Sequence, residues 1–479
     1  MLSIDFGNSY TKVALRRGRD ERTELIQDRS LVWDEFNICV PTLAAEYSEG
    51  GKPRWLYGTD VAKYSSETAG LKVYRNWKPH FFEKSELGIT SKAVSQAKAG
   101  ASRGAPSGIT AELWAQMERQ LEPAALDAVR RFHSGSAGPL EGVTEPEHKA
   151  IAAGFFRWLF ELVDPVCRLR LKSSAAEIPA RVSLPSFGSV AKAELLLNHI
   201  LTDAGWRLDN RAPTLAEPLS NAIGTFTEGM NGTRLRGTQP DYGVMFRNTG
   251  GLLTRFFDAF QGNGPKSTWV LIADVGGYTT DFAMVGIELD AIGSALEGEL
   301  EGKKRLSHMS KALGVAALDR RVQQVLSPTK QKAISEILEE PDQQRLESFH
   351  ARCYRPNGVY ALKRVVIGST QSEKNAIGDA VQKFADEVAT EAEKFLEKHQ
   401  YNRVDDLILT GGGTLIPAVR DTLCRRIGDP VYAKGGLQVH TYFTEGEKLP
   451  GAKPPHRLPP RLIRGATAVG GASVYFDYA

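Results

Sequence analysis

Cysteine is scarce in this chain: Cys39, Cys167, Cys353 and Cys424 are the four in 479 residues, scattered and without metal-ligand spacing. That argues against a disulfide framework or a thiolate metal centre, and buried free thiols in a reducing compartment are the expectation. Charge of one sign is also missing. Sixty Lys and Arg against 57 Asp and Glu leave a formal +3, too little for a strong nucleic-acid or membrane-surface field. Arg16, Arg17, Arg19 and Arg22 stand among acids, as on a solvated hairpin. No basic patch is interleaved with aromatics, so no direct nucleic-acid contact is expected. No apolar run reaches the ~18 residues that span a bilayer, so no membrane partner is expected. The first strand should start at Leu2, leaving no room for a signal peptide, and a cytoplasmic location follows as the expectation. The length suits two large domains rather than one.

What is present is an internal repeat. Ser3-Ile4-Asp5-Phe6-Gly7-Asn8-Ser9-Tyr10-Thr11-Lys12-Val13-Ala14 aligns with Ala273-Asp274-Val275-Gly276-Gly277-Tyr278-Thr279-Thr280-Asp281-Phe282-Ala283, matching Asp5 to Asp274, Gly7 to Gly276, Thr11 to Thr280 and Ala14 to Ala283. Each copy reads as a strand, an Asp, a tight turn and a return strand. The copies lie 269 residues apart, too far for a solenoid and suited to two related domains facing one ligand. Turn N–H groups converging on an anion suit a polyphosphate, and short side chains such as Asn8, Ser9, Thr279 and Thr280 add donors without bulk. A hydrated Mg²⁺ takes one or two protein carboxylates, its other positions being filled by phosphate and water. Asp5, Asp274 and Asp281 are the candidates. Either Asp-x-Gly alone is also a common hairpin turn; the pair carries the argument.

Two further segments complete the pattern. Asp406–Arg420 reads as a buried strand, the turn Gly411-Gly412-Gly413, and a helix opened by Pro417, which would let a flat ligand lie on bare backbone near Ile416. Thr214–Ala222 places Glu217 beside Pro218 at a helix start. Taken alone, that is an ordinary favourable charge at a helix N-terminus.

In this order, the segments resemble the actin, heat-shock chaperone and sugar-kinase superfamily of ATPases, over nearly the whole chain. Asp5 to Thr11 is similar to the first phosphate loop, Asp274 to Asp281 to the second, and Thr410 to Pro417 to the adenosine motif. Ala216-Glu217-Pro218 is similar to the first connecting helix and Arg464–Ala472 to the closing one. The heat-shock ATPase domain and the bacterial actin-like proteins are the nearer match; sugar kinases are a poorer one. The chain departs from the chaperone spelling at Gly7-Asn8-Ser9, at Tyr278, at Tyr360 ahead of Lys363-Arg364, and at Pro459-Pro460. Hydrolysis rate and base selectivity are therefore left open.

The resemblance implies an α/β, two-lobed actin-like ATPase fold, each lobe built on a ribonuclease-H-like mixed sheet flanked by helices. The first lobe would be 1–228, with an Ala/Gly/Ser-rich insertion at 86–143. An insertion or connector would follow at 229–268, the second lobe at 269–460, and a closing helix returning to the first lobe at 461–479. ATP or ADP with Mg²⁺ is the implied cofactor. Asp5 and Asp274 would hold the metal. Glu217 would orient the attacking water, with Asp281 and Thr279 assisting. The ligand would be bound by Gly7, Asn8, Ser9, Tyr10, Gly276, Gly277, Tyr278, Gly411, Gly412, Gly413 and Ile416. A first-lobe lysine often completes such a site; Lys72 is favoured over Lys78 because its context is strand-like. Lys363 and Arg364, on an expected helix, would flank adenine and ribose. No peptide-binding domain is expected after the closing helix. A nucleotide-switched module that regulates or assembles a protein partner through its insertions is preferred. A filament-forming segregation ATPase and, less so, a small-molecule kinase are the alternatives.

Overall fold

The computed structural model describes residues 1–17, 23–26, 39–49, 52–64, 70–81, 146–186, 190–210, 213–231, 267–288, 306–338, 343–362, 365–443, 447, 449–450, 453, 455–458 and 460–472. The insertion expected at 86–143 lies outside the described residues, as do 232–266 and the pair Lys363-Arg364. The architecture is mixed α/β, with two six-stranded sheets at its centre.

The first sheet grows from the N-terminal hairpin. Strand β1 (Leu2–Phe6) pairs antiparallel with β2 (Tyr10–Leu15), which continues to β3 (Glu24–Leu25) and β4 (Val40–Pro41). A small three-stranded sheet follows, with β5 (Ala44–Glu49) between β6 (Lys52–Tyr57) and β7 (Lys72–Tyr74). Parallel strands β8 (Ala180–Leu184) and β9 (Thr214–Ala216) extend the first sheet on the other side of β1. All five residues of β1 are buried, as expected of a central strand covered on both faces. The helix Pro146–Leu171 supplies one cover, with Ile151, Phe155 and Leu159 fully buried on its inner stripe.

The second sheet repeats this plan. Strand β10 (Ser267–Val275) pairs antiparallel with β11 (Thr280–Glu288), which pairs with β12 (Leu306–Lys311). After a short hairpin of β13 (Tyr360–Ala361) and β14 (Val366–Ile367), three parallel strands complete the sheet beside β10: β15 (Asp406–Thr410), β16 (Gln438–Thr441) and β17 (His456–Arg457). The orders β3-β2-β1-β8-β9 and β12-β11-β10-β15-β16 match strand for strand. The sequence repeat is therefore the innermost hairpin of a duplicated sheet.

Pro328–Leu338 and Gln343–Cys353 form two helices. One expectation changes here. The helix expected around Lys363-Arg364 is not formed by its flanks: Tyr360–Ala361 is a strand paired with Val366–Ile367, and Leu362 and Val365 exchange backbone hydrogen bonds. Ahead of the last helix, His456–Arg457 contributes β17 to the sheet.

The helices Glu217–Asn231 and Pro460–Gly471 join the two halves. They approach so closely that a Cβ at Gly224 would lie 1.7 Å from the Ala466 carbonyl oxygen, and one at Gly470 would lie 1.7 Å from that of Ser220. The second helix meets the first sheet through Ala468 and Ala472 against Ala14, and the second sheet through Ile463 and Ala466.

Candidate functional site

A cavity of about 470 Å³ opens where the two hairpins face one another. Its walls contain Asp5, Gly7, Asn8, Ser9 and Tyr10 from the first hairpin and Asp274, Gly276, Gly277, Tyr278, Thr279 and Asp281 from the second. Glu217, Gly411, Gly412, Gly413 and Ile416 also line it. The turns are in near contact: a Cβ at Gly277 would lie 2.6 Å from Ser9 Oγ. Gly411, at φ +81, turns the chain where any Cβ would lie 2.2 Å from Asp274 Oδ1, so both the conformation and the space require glycine.

Lys72 is not brought to the cavity. It stands exposed on β7 with its ammonium 4.4 Å from the Tyr74 ring centroid. Alternation along a short edge strand sends this side chain to solvent. Lys78, the other candidate, lies in the short 3₁₀ turn Lys78–Phe81, is 2 % exposed, and donates to Glu217 Oε1 at 2.5 Å. Trp77 and Phe81 are both buried beside it and fix that turn. Lys363 and Arg364 lie outside the described residues.

Lys12 lines the cavity and was missed by sequence reasoning. It sits opposite Asp5 across the hairpin and donates to Asp5 Oδ2 at 2.9 Å. Asp281 sits opposite Asp274 in the same register. The repeat thus carries an ammonium at one position and a carboxylate at its equivalent, a pairing readable from the alignment. Ser310, Asn221 and Thr467 had no such signal. Asn221 donates to Asp274 Oδ2 at 2.7 Å. Thr467 lies 3.5 Å from the same oxygen.

Four carboxylates and two ammonium groups are thus gathered in one largely dehydrated place, and the proton affinities of Asp274, Asp281, Glu217 and Lys12 respond. Burial, then the charges of Asp5 and Glu217, push Asp274 up to about 7 against the pull of Lys12. Burial and the Glu217 and Asp274 carboxylates push Asp281 well up. Burial also raises Glu217, which Lys78 partly offsets. Burial works against the charge on Lys12, but Asp5 with Cys39 and Asp274 raises its pKa overall. Thr279 Oγ1 donates to Asp281 Oδ2 at 2.9 Å and lies 3.5 Å from Glu217 Oε2. Thr279 therefore links the two acids.

The cavity lining combines unsatisfied polar atoms with apolar side chains. The side-chain oxygen of Asn8 is buried without a hydrogen-bond partner and waits for a donor or a cation. Leu346, Leu415, Ile416 and Ile463 add apolar surface to the lining. Among the described residues, no group of three or more His, Cys, Asp or Glu is arranged to hold a metal by itself. Mg²⁺ here would need phosphate oxygens to complete its shell. No helix among the described residues is long and apolar enough to cross a membrane. No family model matches the chain, and no curated protein matches it.

Proposed function

We propose that this chain is an ATP-binding, slowly ATP-hydrolysing module with the two-lobed actin-like fold, switching a protein partner by its nucleotide state. The observation that carries the reading is the convergence of both duplicated hairpin turns and the Gly411–Gly413 turn on one cavity. A cavity of that size suits a nucleotide, and opposed turns from two related sheets suit a polyphosphate that bridges them.

In this reading the adenosine lies on the bare backbone of Gly411–Gly413, against Ile416 and Leu346. Backbone N–H groups of the two hairpin turns hold the phosphates, and Lys12 adds positive charge beside them. Asp5 and Asp274 would hold hydrated Mg²⁺, which supplies charge neutralisation for a loose phosphoryl-transfer transition state. Glu217, gripped by Lys78, orients the attacking water and accepts a hydrogen bond from it. Thr279 and Asp281 bound the other side of that water.

Calorimetric titration with ATP and ADP, with and without Mg²⁺, tests the reading. Tight binding that needs Mg²⁺ supports it; no binding of any nucleoside triphosphate would end it. The partner role rests on the insertions expected from the sequence at 86–143 and 229–268. Capture of a protein that depends on whether ATP or ADP is present supports it, whereas ATP-dependent pelleting of the pure chain would turn the reading towards a filament.

A further inference from the structure

The acid pair at the site is tied to the first sheet by a hydrogen-bonded chain that the proposed reaction does not use directly. Asp281 on β11 stands opposite Ser310 on β12 in the ladder, and Ser310 Oγ donates to Asp281 Oδ1. The hydroxyl of Ser310 is in turn held from the other half of the molecule. Ser186, just beyond β8, donates its backbone N–H to Ser310 Oγ at 2.8 Å, and the two hydroxyls lie 3.2 Å apart. Ser186 Oγ also lies 3.2 Å from His308 Nδ1.

Proton accounting gives this arrangement a direction. A serine hydroxyl has one proton and two lone pairs. The Ser186 amide occupies a lone pair of Ser310, and the Ser310 proton is left to meet Asp281. The second oxygen of Asp281 accepts a hydrogen bond from the hydroxyl of Thr279, the residue that faces Glu217. Asp281 is thus anchored at both oxygens, once within the cavity and once through Ser310 to the first sheet. Without Ser310, its carboxyl is free to rotate away from Thr279.

We infer that Ser310 and Ser186 are positioning residues for hydrolysis, fixing the Asp281 carboxyl towards Thr279 through a link that crosses from the first sheet to the second. The inference rests on the ATPase reading above. It makes the geometry around the attacking water depend on how the two halves meet, because moving β8 away from β12 breaks the link.

The test uses the full chain and the variants Ser310→Ala, Ser310→Thr and Ser186→Ala. Affinity for Mg²⁺·ATP, the single-turnover hydrolysis rate and thermal stability are measured on each. Ser310→Ala should hydrolyse at least roughly tenfold more slowly while its Kd stays within about twofold of wild type. Ser310→Thr restores the hydroxyl and should recover the rate to within about threefold. Ser186→Ala keeps the amide and should lose less than Ser310→Ala. A Ser310→Ala rate equal to wild type overturns the inference. So does a joint fall of rate, affinity and stability that Ser310→Thr does not rescue, since that marks a purely structural role. If the wild-type chain itself binds no Mg²⁺·ATP, the ATPase reading fails and takes the positioning role with it. If wild type binds and turns over, only the positioning role is at stake.

Discussion

Replacing Asp274 by asparagine should stabilise the ligand-free protein while weakening its Mg²⁺-dependent nucleotide binding. The carboxyl keeps a proton up to a pH of about 7 instead of 3.8, from burial first and the Asp5 and Glu217 charges next. That difference disfavours the charged form by ~4 kcal/mol. The Asp5 and Glu217 charges contribute part of it, and discounting that shared repulsion leaves about 2 kcal/mol as the expected gain. The sign follows from linkage. A carboxyl whose folded-state pKa is raised contributes no penalty below its unfolded pKa, and stability is lost as pH rises through the folded value. The wild type should therefore weaken between roughly pH 4 and pH 8, while the variant, fixed in a neutral form, should not. Its amide oxygen can still accept from Asn221 and Thr467, the two donors now on Asp274. Thermal melts from pH 5 to pH 8, without nucleotide, read the effect: the variant's advantage should widen to a few degrees at the alkaline end. An advantage that shrinks with rising pH, or none at pH 8, would refute the electrostatic reasoning. Unchanged Mg²⁺·ATP affinity in the same variant would remove Asp274 from the metal site.

Other outcomes follow from the same geometry. Glu217→Ala should still bind ATP but hydrolyse it at least tenfold more slowly, ~1.4 kcal/mol in barrier; single-turnover rates equal to wild type would reduce Glu217 to a helix-start charge. Lys78→Ala should cost about 3–5 kcal/mol by stranding the buried Glu217 carboxylate, while Lys72→Ala, exposed on its strand, should stay within about 0.5 kcal/mol; equal effects in denaturation would contradict the placement of the two lysines. Gly224→Val should lower the melting temperature sharply, because its side chain has no room beside Ala466, and a neutral melt would mean the two joining helices are not in contact. Mg²⁺·ATP should protect the amides of 5–11, 276–281 and 411–413 together from hydrogen exchange; protection of one turn alone would mean the turns do not share a ligand.

Much of the site was legible because it is written locally. Asp-x-Gly between two apolar runs specifies a hairpin and where its acid stands, and two copies of it define a duplicated sheet before any packing is known. The Gly411–Gly413 turn was equally local: a strand, three glycines and Pro417 leave few other conformations. Lys72 shows the limit. Its strand-like surroundings were read correctly, since it lies on β7, but a strand has two faces, and which one meets the cavity depends on the sheet packed behind it. Lys78 gave no local sign at all. Its place comes from Trp77 and Phe81 sinking into the core of the first half.

By itself, then, the sequence determined the elements whose signals lie within a turn's length: the two hairpins, the glycine turn, and the acids at strand and helix ends. Tertiary structure alone decided that Lys78 meets Glu217 and Ser186 meets Ser310. Lys78 reaches Glu217 across 139 residues, and Ser186 reaches Ser310 across 124. Such contacts form because two buried sheets are held together by the close helix pair at Gly224 and Gly470. A long-range pairing of polar groups has no period to read along the chain; it is set by the burial of apolar surface elsewhere, which positions the charges and then, by excluding water, makes their partners matter.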